Sequence, residues 1–416
     1  MVQQLKFGKQ LRDECFSFKE GYLPLNHGSF GMSPDSVFER QRQIQQDVHS
    51  NSDLFYRFTL FDGYKESQKI VAQELDADVD NVAFIANATT GVNAVLRSYP
   101  FKEGDTIIYS SVIYGACRKT LQFMQSRYKL NLVEINLVFP TFSDDIVDAF
   151  VEKMESAGGS CKMCLFDTLS SMPAWKFPWE KLVEECRKRG VLSLVDGAHG
   201  YGIIPISLRS TKPDFFVTNV HKWGYISQSC AAFYVDKAHH HKIHTLPISH
   251  SYQFDEDIDP ANKLHDFSYR FTFVGTLDYS PMLSIPAAKE FTDSLGGFEK
   301  IREYNRELAD KACQLAAKKL GTENMAGSAM FNVRVPLNLP QSEHFLTTRF
   351  LQEWLLLERN CCIPLFSHGG NIWARISAQI YLDIDDIEKG LDYLLEAIQH
   401  YHQTPKDKIT YKSLLL

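Results

Sequence analysis

The sequence predicts an α/β protein in which a large domain built on a mainly parallel seven-stranded sheet precedes a smaller α+β domain. Three observations carry that expectation. Between residues 80 and 235, short β-type runs alternate with helical ones, the pattern of parallel strands joined by crossover helices. The β-type runs number seven, which suits one large sheet. Beyond residue 285 the pattern turns to long amphipathic helices with little strand between them.

Taken in order, residues 1–20 read as an arm, 21–285 as the large domain and 286–416 as the small one. The strand candidates are 82–86 (VAFIA), 106–111 (TIIYSS), 131–137 (NLVEINL), 163–167 (MCLFD), 192–196 (LSLVD), 215–219 (FFVTN) and 230–235 (CAAFYV). Between two of them, residues 179–190 (WEKLVEECRKRG) repeat apolar side chains at helical spacing, and Gly190 supplies a stop. In the second domain, the helical runs FEKIREYNRELADKACQLAAKKLG, EHFLTTRFLQEWLLLERN and DIDDIEKGLDYLLEAIQHYHQ flank strand-like MFNVRVPL and NIWARISA.

Composition narrows the function. The 44 basic against 51 acidic residues give a net charge of -7 with no long block of either sign, so no nucleic-acid or anionic-membrane footprint is expected. No apolar run approaches the roughly 20 residues that span a bilayer, and the start lacks a secretion signal. The nine scattered cysteines look like free thiols of a reducing, cytoplasmic compartment. Chemistry on a small molecule is the default.

Two polar residues at strand ends focus that chemistry. Asp196 closes the apolar run of VLSLVDGAHGYG, and Lys222 lies just past the next run in DFFVTNVHKWG. Open α/β sheets bind ligands beyond such carboxyl ends. A lysine amine to form a Schiff base with an aldehyde, and a carboxylate to keep a ring nitrogen protonated, are what pyridoxal 5'-phosphate requires. Taken singly, a turn aspartate and a surface lysine would mean nothing. In NATTGVNAVLRSY, Ala88, Thr89 and Thr90 stand between a strand and a helix, where free amides, the helix dipole and two hydroxyls suit a phosphate, although simple N-capping explains them too. There is no G-x-x-x-x-G-K-[ST] loop, and the glycines at 197, 200 and 202 have the wrong order for a dinucleotide fingerprint.

The segments LNHGSFG (25–31), NATTGVN (87–93), VDGAHGYG (195–202), TNVHKWG (218–224), FVGTLDYSP (273–281) and WARISAQIY (373–381) resemble the class V aminotransferase family of fold-type I pyridoxal-phosphate enzymes. Within it they are most similar to the branch of isopenicillin N epimerase-like proteins, cysteine desulfurases and fungal hercynylcysteine sulfoxide lyase. The resemblance implies that Lys222 holds the cofactor, Asp196 meets its ring nitrogen and His199 its phenolic oxygen. It implies Thr89, Thr90, Asn219 and His221 as phosphate ligands, and Tyr114 stacked on the cofactor face. Thr276 is expected to reach the phosphate of a neighbouring subunit, which makes the active unit a homodimer with composite sites. Arg375 matches the arginine that clamps an amino acid's α-carboxylate, a task suited to a planar guanidinium. Asn26 and His27 should line the substrate side, with Arg57 from segment 51–58 as a second polar contact or merely an exposed helix residue.

Other residues invite weaker readings. The histidines of 239–244 (HHHKIH) and the CKMC at 161–164 lack partners at ligand spacing, so no metal site is expected. Phe55, Tyr56 and Phe58 suit either a pocket or a core face. Cys361 and Cys362 approach the place of the desulfurase nucleophile, but they open an apparent strand ahead of Pro364, and buried packing is the expected role. The preferred reaction is therefore β-elimination from a cysteine-derived amino acid by a carbon-sulfur lyase, most concretely on hercynylcysteine sulfoxide in ergothioneine synthesis. An amino-acid epimerase, an aminotransferase and a noncatalytic binding protein that keeps the fold remain open.

Overall fold

The computed structural model describes residues 5–253 and 266–412. Seven strands form the larger sheet: β1 (Val82–Ile85), β2 (Thr106–Ser110), β3 (Asn131–Ile135), β4 (Cys161–Asp167), β5 (Leu192–Asp196), β6 (Phe215–Thr218) and β7 (Ala231–Val235), in the order β1-β7-β6-β5-β4-β2-β3. Every strand foreseen in the sequence is present, with ends moved by a residue or two. The run 131–137, for example, leaves the ladder after Ile135, where the Leu137 amide turns to donate to the Ser111 hydroxyl. The pairs β2–β3, β2–β4, β4–β5 and β5–β6 are parallel, whereas β7 runs antiparallel to both β1 and β6.

Alternate residues of the central strands enter different cores, which is why their runs are continuously apolar, whereas edge strand β3 exposes Asn131 and Glu134. Leu165, Leu194 and Val217 face the helices Ala88–Ser98 and Gly115–Tyr128 through Val92, Val95, Leu121 and Met124. Phe166, Val195 and Phe216 face the larger core that holds Trp179, Leu182 and Tyr64. Helix Trp179–Lys188 ends as foreseen, with Gly190 at φ +65°.

A second, antiparallel sheet of β8 (Asn324–Ala326), β9 (Met330–Arg334), β10 (Leu365–His368) and β11 (Asn371–Ser377) has the order β10-β11-β9-β8. Helices Gly297–Leu320, Gln341–Arg359 and Ile384–Gln403 pack about it. The division expected near residue 285 falls at the start of helix Ile285–Ser294, which touches helices Asp35–Ser50 and Leu60–Glu74 on one side and Gly297–Leu320 on the other. Of the expected arm, residues 1–4 lie outside the described residues. Its helix Lys9–Cys15 buries Leu11, and Arg12 pairs with Asp386 at 2.6 Å. Among the described residues, no helix is long and apolar enough to cross a membrane.

Candidate active site

The site lies past the carboxyl ends of β4, β5 and β6. Beyond β5 the chain turns through Gly197–Tyr201 and is tied to β6: Thr218 Oγ1 donates to the Gly197 carbonyl at 2.5 Å, and the Tyr201 amide donates to Thr218 Oγ1. The turn carries His199 toward the short helix Val220–Trp223, where Lys222 Nζ lies 3.1 Å from His199 Nε2. Segment 25–31 closes over this helix. Gly31 has φ +71°, and a Cβ there would collide with the His221 carbonyl, so only glycine fits.

Electrostatics follow from burial. Loss of water, and then the Arg375 guanidinium, bring the Lys222 amine from 10.5 down to about 7, against the pull of Asp196 and Asp167. His199 is held well below its usual range by burial and by Lys222. Trp223 Nε1 can only donate, and it points at His199 Nδ1 at 3.4 Å, so the single ring proton sits on Nε2, facing Lys222. Asp196 accepts from the Ala198 amide at 2.9 Å and from the Cys117 thiol at 3.5 Å, yet burial raises its pKa.

Arg375, in the middle of β11, is 2% exposed. Its Nη1 donates to the Ser171 carbonyl and hydroxyl at 3.1 and 3.0 Å, and its Nη2 to Asn26 Oδ1 and Ser29 Oγ, both at 2.8 Å. All these partners are neutral, and Nε has none among the described residues. Burial lowers the guanidinium to about 10. A buried cation without an anion is costly. A substrate carboxylate would relieve that cost.

The phosphate end differs in detail from expectation. The Ala88 amide is not free, because it donates to Asn219 Oδ1 at 2.8 Å. Thr90 gives both its amide and its hydroxyl to the capping Asn87, at 2.9 and 3.0 Å. An arriving phosphate would therefore meet the helix dipole and the Thr89 hydroxyl, and compete with Asn87 for Thr90. His221 commits its Nδ1 proton to the Cys230 carbonyl at 2.7 Å, and burial holds its pKa at about 4. The neutral ring has no Nε2 proton to give a phosphate.

Of the remaining candidates, His27 is buried, with Nδ1 2.8 Å from the Tyr381 hydroxyl and its ring against Trp223; Asn26 belongs to the Arg375 cluster. Tyr114, 51% exposed, precedes the helix whose Cys117 touches Asp196. Thr276 and Arg57 do not join the site of their own chain. Both are exposed, Arg57 pairs with exposed Asp53, and Tyr56 ties the two regions together by donating to the Leu277 carbonyl at 3.0 Å. Phe55 is core and Phe58 is exposed. A cavity of about 590 Å³, lined in part by Ile85, Thr90, Leu246, Leu277 and Met282, separates the phosphate end from that rim.

Strand β10 begins only at Leu365, so the two cysteines precede it and do not open it. Cys361 is buried as expected, but Cys362 accepts from Asn26 Nδ2 at 3.4 Å and borders the Arg375 cluster. Among the histidines, His239 pairs with Asp214 at 2.8 Å and His240 stacks on Phe267; no metal-ligand group occurs among the described residues. Sequence reasoning missed Cys117, Asp167, Ser29 and Ser171. Only Asp167 left a signal, since β4 ends in an aspartate just as β5 does.

An amine near neutrality, a buried carboxylate, a helix N-terminus with hydroxyls and an unpaired buried guanidinium together fit pyridoxal 5'-phosphate and an amino acid. Residues 32–389 match the family model described as aminotransferase class-V. The chain is 29% identical to hercynylcysteine sulfoxide lyase of Schizosaccharomyces pombe, over 93% of this chain and 96% of that protein. It is also 29% identical to L-cysteine desulfhydrase of Arabidopsis thaliana, over 95% and 90%. Among solved structures, C-DES with glycine covalently linked to its PLP cofactor superposes with a TM-score of 0.76 at 14% identity, covering 90% of this chain and 96% of that one.

Proposed function

The chain belongs to the aminotransferase class-V family, whose cofactor is pyridoxal 5'-phosphate, and from that premise we propose that it is a carbon-sulfur lyase that cleaves a cysteine-derived amino acid by β-elimination. The substrate we favour is hercynylcysteine sulfoxide in ergothioneine synthesis, a choice supported by the fission-yeast relative. The observation that carries the reading is Arg375, a buried guanidinium with no acid partner among the described residues, which acts electrostatically on an amine of pKa about 7.

When bound, the cofactor supplies an electrophilic carbon for the substrate amine and a sink for the electrons left at the α-carbon. Arg375 binds the α-carboxylate and so fixes which substrate bond faces Lys222. Lys222, whose amine is partly neutral at pH 7, takes the α-proton. Asp196 would hold a proton at the cofactor's ring nitrogen, and His199, with its proton on Nε2, would be the donor available to the phenolic oxygen. Asn26 and Ser29 hold the planar guanidinium in position by accepting from its Nη2, and His27 is held by Tyr381 beside them in the chain. The β-sulfur group would leave as thiolate or sulfenate with the electrons of the Cβ–S bond, and the released enamine, after tautomerising to an imine, would be hydrolysed by water to pyruvate and ammonia.

Exposed Thr276 and Arg57, on the rim held by Tyr56, support a homodimer in which they serve the partner's site. All nine cysteines are free, which supports a reducing, cytoplasmic setting. The test is incubation with cysteine conjugates and sulfoxides, with pyruvate and thiol products assayed. Pyruvate formation supports the lyase. Racemised substrate without pyruvate would establish an epimerase, a keto acid with aminated cofactor a transaminase, and a protein with no visible cofactor band, unaltered by Lys222→Ala, a noncatalytic fold.

A further inference from the structure

Asp167 ends β4 beside Asp196 at the end of β5, and the two are register partners in a parallel pair. Residues 163, 165 and 167 of β4 share a face with 194 and 196 of β5, since Met163, Leu165 and Leu194 all enter the core under helix Gly115–Tyr128. Both carboxyls therefore point the same way. Asp167 is 5% exposed and Asp196 4%, and Asp167 Oδ2 has no hydrogen-bond partner among the described residues. The titratable groups around the pair are the Cys117 thiol from above, which donates to Asp196, and Lys222 from beyond β6, with His199 and Arg375 further along the cleft.

Resting on the cofactor reading above, we propose that Asp167 is a positioning residue that shares one proton with Asp196, so that the two acids together present a single negative charge to the ring nitrogen. Two carboxylates taken out of water side by side repel each other, and one amine cannot compensate both. A proton between them removes the repulsion and gives the orphan Oδ2 a partner, while the Ala198 amide and the Cys117 thiol hold the two oxygens of Asp196 in place. Burial, then Asp196, push the Asp167 carboxyl far up, and Lys222 only partly opposes them. Asp196 rises less because the Ala198 amide already serves its charged form. The proton accordingly resides on Asp167, which donates, and the negative charge resides on Asp196.

The test begins with cofactor-free wild-type protein labelled with carboxyl-13C aspartate. Exposed aspartates are ionised at neutral pH, so an infrared carbonyl stretch of a protonated carboxyl that moves with the label must come from a buried one. The expected result is one such band at pH 7 that is absent in Asp167→Asn. No label-sensitive band at pH 7, or a band that survives Asp167→Asn, overturns the proposal. In the loaded protein, Asp167→Asn, which still donates, should leave the pH transition of the visible band in place. Asp167→Leu, which cannot donate, should move it by about one unit, a tenfold change in the proton equilibrium. Equal behaviour of the two variants would assign Asp167 to packing alone. Failure of the lyase reading shows in the pyruvate assay and leaves the wild-type infrared result untouched, so the two failures are distinct.

Discussion

Replacing Lys222 by Met should stabilise the cofactor-free protein, and more so at low pH. The amine falls from 10.5 to about 7 because burial and Arg375 disfavour its charged form. Between those values the unfolded chain binds a proton that the folded chain does not, so wild-type stability rises with pH across the window. Below pH 7 the full cost is present, on the order of 5 kcal/mol at 1.36 kcal/mol per unit. Met keeps the apolar stem and removes the charge, while losing about 1 kcal/mol for the hydrogen bond to His199. The variant should therefore exceed wild type by about 4 kcal/mol at pH 6, with the gap closing as pH approaches 10. Urea unfolding of the two apo proteins at several pH values measures the gap. A gap that is flat between pH 6 and 9, or a wild type more stable at pH 6, would refute an amine held near neutrality by desolvation.

Three further expectations follow from the site. Arg375→Gln should leave the cofactor's visible spectrum intact but lower kcat/KM by about 30- to 1000-fold, the loss of about 2–4 kcal/mol in charge-assisted hydrogen bonds, as steady-state kinetics would measure. Thr90→Val should weaken cofactor binding about tenfold in an equilibrium titration, because one hydroxyl donor to the phosphate disappears. Gly31→Ala should cost at least about 2 kcal/mol in denaturant unfolding, since φ is +71° and the new methyl meets the His221 carbonyl. A variant as stable as wild type would show that segment 25–31 does not need its close approach to the Lys222 helix.

Much of this was legible in the sequence, for a physical reason. Strands covered on both faces write uninterrupted apolar runs, so LSLVD and FFVT could be seen, and their polar ends pointed to Asp196 and Lys222. The same property hid the direction of β7, because a buried antiparallel strand reads like a parallel one. Contacts between distant segments were also silent. That Asn219 would take the Ala88 amide, across 131 residues, or that Ser171 would hold Arg375 across 204, depends on packing and leaves no local pattern. The apparent strand at Cys361 and Cys362 is interrupted by Pro364, which has no amide proton to pair, and the ladder starts after it at Leu365.

The Arg375 guanidinium and the Lys222 amine lie within electrostatic reach of each other. Arg375 is second only to burial in lowering Lys222, and among the described residues its partners are all neutral. A substrate carboxylate bound there cancels that repulsion, so the lysine becomes more basic once the substrate has arrived. On the proposed reading, the amine would stay neutral enough in the empty protein to react with the cofactor's aldehyde and would be strengthened as a base once substrate is bound. A simple carboxylate such as propionate should mimic the first half of this coupling. In cofactor-free protein it should raise the pH at which the Lys222 amine becomes reactive toward an aldehyde probe, and Arg375→Gln should abolish that response. If propionate leaves the reactivity profile unmoved in the wild type, Arg375 and Lys222 are not coupled through the carboxylate, and the clamp acts by orientation alone.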